Sequence, residues 1–251
     1  MPAPIGLQLY TIRDFLGKDY EGGVRKIADM GYVGVETAGF PGTTPEKAAK
    51  LFRELGLEVT SAHVGLPIGK DKQPILDLMN TIGSKRIISG LWADQFKTDD
   101  EIKKSCDKFN ESSAVATANG MTFGIHNHWW EFLKVGDRYA YQIMLEYLDP
   151  NVFFELDVYW VQTAGLDPVA VTREFGARAP LLHIKDGPAV QKVPTTAVGD
   201  GKVDIPGIIE AAKPTAQWMI VELDACATDM MEAVQKSYTY LTTTKLARGR
   251  K

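Results

Sequence analysis

The stretch ANGMTFGIHNHWWEF (Ala118–Phe132) changes character twice. Gly120 closes a helix, an apolar run follows, and that run ends in two histidines, two tryptophans and a glutamate. A glycine just past a helix is a stop signal, and a short apolar run behind it is a buried strand. The polar end is either a crowded core strand or one wall of an active site. The choice rests on whether the pattern recurs.

It recurs along the whole chain. Strand-like runs stand at IGLQLY (5–10), YVGVETA (32–38), LEVTSAHV (57–64), KRIISGLW (85–92), MTFGIHNH (121–128), VFFELDVYW (152–160), LLHIKD (181–186) and WMIVELD (218–224). Segments with helical spacing lie between them: Val24, Ile27 and Ala28 share one face, and Met231, Val234, Tyr238 and Leu241 another. Thr44-Pro45-Glu46 supplies an N-cap, a proline at the first helical position and an acid in the first turn. Thr98-Asp99-Asp100-Glu101 fits a capping box, and Gly31 and Gly56 close helices as Gly120 does. Strand and helix alternating in this way imply a parallel sheet. Eight units of about 31 residues predict a single-domain α/β chain over 1–251, a (β/α)8 TIM barrel. A doubly wound open sheet is the competitor, but no G-x-G-x-x-G loop follows the first strand. Residues 246–251 read as a partly disordered tail.

Composition narrows the function. The chain has 251 residues, 45% hydrophobic and 24% charged, which suits a large globular core. A net charge of −4, with basic residues grouped only in the terminal ARGRK, argues against a nucleic-acid partner. No apolar run is long enough to span a membrane. Cys106 and Cys226 form no disulfide framework or metal-binding spacing. The start shows no signal peptide, so the expected location is cytoplasmic.

In such a barrel the working face lies at the C-terminal ends of the strands. The polar residues gather there: Glu36, His63, His126, His128, Glu131, Asp157, Trp160, His183, Lys185, Glu222 and Asp224. Residues two apart on a strand share a face, so His126 pairs with His128, Glu155 with Asp157, His183 with Lys185 and Glu222 with Asp224. Glu131, Asp157, His183 and Glu222 form a candidate metal set of three carboxylates and one imidazole. Such a set suits Mn2+ or Mg2+, with Co2+ or Zn2+ also compatible. Without a cation, three buried acids would repel one another or take up protons.

HNHWWEF, LDVYWV (156–161), HIKD (183–186), VGDGKVDIPGII (198–209) and VELD (221–224) resemble the xylose isomerase-like sugar isomerase/epimerase superfamily, in the branch with HNH-x-x-EF on strand five. The resemblance runs in order from LQLYTIRD (7–14) onward. It implies one divalent ion, Mn2+ first, held at the ends of strands five to eight by Glu131, Asp157, His183 and Glu222. His126 or His128 is the alternative strand-five ligand. It also implies a sugar or keto-sugar substrate and a homo-oligomer, since relatives are often dimers or tetramers.

Such enzymes move a proton next to a carbonyl, with the metal polarising the oxygens. Glu131, Glu222 and His128 are the expected acid/base groups. His63, His126, Lys185, Trp160, Glu36 and Tyr10 are the expected substrate contacts. The same enolate permits β-elimination, so a lyase or hydratase on a keto-sugar is the alternative, and a non-catalytic sugar-binding barrel the third. A DNA-repair endonuclease of this fold would need three metals and more than four histidines. No glycine-rich phosphate loop follows the late strands. The loop from Gly187 to Asp204 either closes over substrate or is a long surface connection.

Overall fold

The computed structural model describes residues 1–250. The expected eight strands are present, each a little shorter than its apolar run: β1 (Ile5–Gln8), β2 (Gly34–Thr37), β3 (Glu58–His63), β4 (Arg86–Ser89), β5 (Thr122–His126), β6 (Phe153–Asp157), β7 (Leu181–Ile184) and β8 (Trp218–Val221). All neighbours are parallel, and β1 pairs with β8 through Gly6 and Ile220 to close the barrel. The principal helices are α1 (Tyr20–Met30), α2 (Pro45–Glu54), α3 (Lys72–Ile82), α4 (Asp99–Ala118), α5 (Ala140–Tyr147), α6 (Pro168–Phe175), α7 (Ile205–Ala212) and α8 (Met230–Thr243). Thr44 caps α2 through the Lys47 N–H and Thr98 caps α4 through the Glu101 N–H. Those two side chains satisfy donors that a helix start leaves free. Gly31 ends α1 at φ 109°, a conformation open to glycine.

The core has two compartments. The larger lies between the sheet and its helices. The smaller is inside the barrel, where Ile88, Leu181, Trp218 and Ile220 form an apolar floor. Glycines on neighbouring strands make room for the large floor residues. A Cβ on Gly34 would stand 2.9 Å from the Trp218 ring and 2.8 Å from the Glu58 carbonyl oxygen. Gly34→Ala therefore forces backbone to move and should cost about 1–3 kcal/mol in urea denaturation. An unchanged midpoint would mean that the floor is loosely packed. The β2–β3 register shifts between Val35 and Glu36, leaving Thr60 as an extra residue in β3.

Specific contacts hold the chain's end and its long loop. Residues 246–250 lie against the base of the barrel: the Arg248 N–H donates to the Ala3 carbonyl at 2.9 Å and Ile5 N–H donates to the Arg248 carbonyl at 3.0 Å. Ala247 is buried, and the Arg250 guanidinium donates to the carbonyls of Leu55, Gly56 and Val33. The basic C-terminal residues thus include one that binds carbonyls at the base of the barrel. Position 251 lies outside the described residues. The loop after β7 is tied to one carboxylate, because Asp186 accepts the N–H groups of Gly187, Gly199, Gly201 and Val203 at 2.8–3.1 Å. Among the described residues no helix is long and apolar enough to cross a membrane.

Candidate active site

Above the apolar floor the barrel interior turns polar. The alternation of strand side chains explains this. In β7, Leu181 joins the floor, and His183 and Lys185 follow at two-residue steps. In β8, Trp218 and Ile220 join the floor and Glu222 and Asp224 follow. In β6, Phe153 packs on the floor and Glu155 and Asp157 rise above it. Asp157 is level with His183 in the β6–β7 register.

These residues form two stacked clusters sharing His183. The upper cluster is His126, Asp157, His183 and Glu222, each offering one ligand atom, all within 4.8 Å of one another. His126 Nε2 lies 3.3 Å from Asp157 Oδ2 and 3.9 Å from Glu222 Oε2, and His183 Nδ1 lies 2.9 Å from Glu222 Oε2. The lower cluster is Glu36, His63, Glu155 and His183. There, His183 Nε2 lies 2.7 Å from Glu36 Oε2 and 3.1 Å from Glu155 Oε2, and His63 Nε2 lies 2.6 Å from Glu155 Oε2.

Lys185 binds the upper carboxylates. Its Nζ lies 2.8 Å from Asp157 Oδ2, 2.6 Å from Glu222 Oε2 and 2.8 Å from Asp224 Oδ2, with no exposure of its own. Burial alone would strip its proton, but the three carboxylates outweigh burial and hold its pKa well above the ordinary value. Glu222 is the mirror case: burial opposes its charge, and Lys185 and His183 prevail, keeping its pKa well below the carboxylate range. Burial holds His126 neutral, with its pKa well below the usual range, and the nearby positive groups His183, His63 and Lys185 act in the same sense. A neutral imidazole is the form that ligates metals.

Asp157 is positioned from two sides. Its Oδ1 accepts the N–H groups of Tyr159 and Trp160 and caps the short helix Val158–Thr163. Its backbone N–H donates to Asn127 Oδ1 at 2.9 Å, while Asn127 Nδ2 donates to its carbonyl at 3.2 Å. Asn127 thus ties the end of β5 to the end of β6, a role that sequence reasoning did not assign.

A cavity of about 340 Å3 opens over the upper cluster. Tyr10, His63, His126, His128, Glu222 and Asp224 border it, together with Ala38, Gly90, Leu91 and Trp92. Of the substrate contacts expected from sequence, Tyr10, His63 and His126 are at this wall. Glu36 and Lys185 are buried beneath it, and Trp160, below whose ring Lys185 Nζ approaches to 5.1 Å, does not border it. Trp92, 72% exposed on the loop after β4, was not anticipated.

Of the two strand-five alternatives, Glu131 and a histidine, it is His126 that lies with Asp157, His183 and Glu222. Glu131 lies in the helical turn Trp130–Phe132, wholly buried, and its Oε2 accepts the His128 backbone N–H at 2.9 Å. It shapes the loop that carries His128 and does not border the cavity. His128, whose ring stacks on Trp130 at 4.1 Å, does face it.

Burial pushes the Glu131 pKa up to about 8, against the help of the His128 N–H. The folded protein therefore keeps Glu131 protonated where the unfolded chain, near the ordinary value, has lost that proton. Its contribution to stability is complete below the unfolded pKa and is lost as pH rises to about 8. The expected slope is at most about 1.4 kcal/mol per pH unit. Glu131→Gln should flatten the stability profile between about pH 5 and 8. Parallel profiles for the two proteins would contradict this placement.

An eight-stranded parallel barrel with a charged, cation-type cluster at its C-terminal mouth defines the class: an α/β barrel built to work at that mouth. The chain belongs to the xylose isomerase-like TIM barrel family, whose model matches residues 24–242. Two solved structures from Parabacteroides distasonis ATCC 8503, each described as a sugar phosphate isomerase/epimerase, are similar over almost the full length. One is 25% identical with a TM-score of 0.84, covering 99% of this chain and 96% of that one. The other is 28% identical with a TM-score of 0.83, covering 98% and 100%. An L-ribulose 3-epimerase structure, 16% identical, shares the fold at a TM-score of 0.74 over 96% of this chain and 94% of that one. No curated protein matched the sequence significantly.

Proposed function

We propose that the chain is a sugar isomerase or epimerase that moves a proton next to a carbonyl, using a divalent ion at the upper cluster. One observation carries this reading: a buried set of two imidazoles and two carboxylates sits directly beneath a cavity of sugar size. The family membership and the two Parabacteroides structures support the class of reaction.

The donor set fits a divalent ion by charge as well as by atom type. Asp157, Glu222 and Asp224 bring three negative charges against one from Lys185. With His183 deprotonated as a ligand, two negative charges remain, which a divalent cation would balance. His126, Asp157 and Glu222 would hold it, with His183 as fourth donor. Mixed nitrogen and oxygen ligation suits Mn2+, Co2+ or Zn2+ better than Mg2+. Bound there, the ion would polarise a sugar carbonyl and its neighbouring hydroxyl.

The chain's own groups do the rest. Glu222 is ionised and borders the cavity, so it accepts the proton from the carbon next to the carbonyl. His128, whose pKa burial pushes down to about 3, meets the substrate as a neutral imidazole and passes protons between hydroxyls. Lys185 keeps Asp157 and Glu222 in place. Tyr10 and Trp92 flank the opening and present aromatic faces to a sugar ring.

The test is NMR in D2O with Mn2+-loaded protein and a panel of ketoses, aldoses and keto-glycosides. Deuterium next to the carbonyl together with an isomer or epimer supports the reading. Deuterium with loss of water or an alcohol moves the protein to the lyase alternative. Tight binding without exchange moves it to the non-catalytic barrel.

A further inference from the structure

In the lower cluster no lysine faces the carboxylates; the groups against Glu36 and Glu155 are the rings of His63 and His183. Glu36 and Glu155 are both wholly buried, and each has an Oε1 without a hydrogen-bond partner. A buried carboxylate oxygen left unpaired is costly. Glu36 Oε1 lies 3.4 Å from His63 Nε2, so one of these oxygens faces the interior of the cluster. The rings of His63 and His183 are parallel within 4°, with centroids 5.4 Å apart, and both direct Nε2 at the same carboxylates.

We propose that Glu36, His63, Glu155 and His183 form a second divalent-cation site, one layer below the first. The contacts measured between their donor atoms run from 2.6 to 3.4 Å. Nitrogen and oxygen ligands of a tetrahedral zinc ion stand about 3.3 Å apart, given bonds near 2.0–2.1 Å. One donor atom from each of the four lies within 4.8 Å of the others, close enough for the side chains to close into such a shell. An entering ion displaces the ring protons of His63 and His183, and two carboxylates with two neutral imidazoles then leave two negative charges for one divalent ion.

The surroundings also fit. Gln8 Nε2 donates to Glu36 Oε2 at 2.9 Å and fixes that carboxylate. His183 would ligate through Nε2 while its Nδ1–H donates to Glu222 at 2.9 Å, the arrangement that orients metal-binding histidines. His183 would then serve the lower ion in place of the upper one, which His126, Asp157 and Glu222 would hold. His63 is the one lower ligand at the cavity wall, its side chain 24% exposed, and gives the ion its path inward.

This inference takes the upper site from the proposed function, and the test separates the two. Co2+ is titrated into metal-free protein, followed by equilibrium dialysis and visible absorption. The wild type should bind two equivalents. Glu155→Gln and His63→Ala should each lose one equivalent and keep the other, and Asp157→Asn should lose the other. His63 lies at the cavity wall, so its variant stays informative if Glu155→Gln fails to fold. A wild type binding one equivalent, unchanged in affinity by His63→Ala or Glu155→Gln, overturns the lower site and leaves the upper one standing. Stoichiometry that falls with His63→Ala but not with Asp157→Asn supports the lower site and removes the upper one.

Discussion

Asp157→Asn should remove the upper ion and lower kcat/KM on the true substrate by about a thousandfold or more, the several kcal/mol that a Lewis-acid ion supplies. The substitution keeps an oxygen to cap Val158–Thr163, so the fold should survive. The charge beside His126 and Lys185 is lost. The expected pattern is therefore specific: near-normal circular dichroism and melting, reduced metal content, and a fall in kcat. A variant that melts early and binds metal normally would make Asp157 a structural residue only.

The second large effect is on stability. Lys185→Met leaves Asp157, Glu222 and Asp224 around an apolar side chain. Removing one partner of a buried charged network typically costs about 3–5 kcal/mol. Urea denaturation of metal-free protein should show a loss of that size, and added Mn2+ should restore part of it by supplying the missing positive charge. A loss below about 1 kcal/mol would mean that the three carboxylates are neutralised in some other way. Recovery with Mn2+ but not with salt separates the site from general screening.

Much of this was legible in the sequence. The glycine stops, the apolar runs and the late polar residues lead directly to the eight strands and their working end. Asp157, His183, Lys185 and Glu222 were singled out, and two-residue spacing explains why they face inward together. For the strand-five ligand the sequence leaves Glu131 and a histidine open, and strand geometry sets the two apart. β5 ends at His126, so Glu131 stands five positions further along, across a helical turn with its own burial pattern. Parity points to the histidine: Gly124 faces inward beside Phe153, and His126 is the next residue on that face.

The same rule separates Lys185 from Asp186, which point to opposite sides and do different work. One binds the site carboxylates and the other organises the following loop. Glu155 lies on the inward face two residues before Asp157, as the same rule requires. Trp92 ends the fourth apolar run, but the strand stops at Ser89, and beyond it alternation no longer fixes a side chain's direction. The docked C-terminal segment was invisible for a similar reason: its bonds are to backbone carbonyls far away in sequence.

The most direct test is the metal content of purified wild type beside His126→Ala and Glu131→Gln. The site described here requires the histidine variant to lose one bound divalent ion relative to wild type, and the glutamate variant to retain the full complement. Loss from Glu131→Gln with retention in His126→Ala would contradict it and place the strand-five ligand beyond the strand.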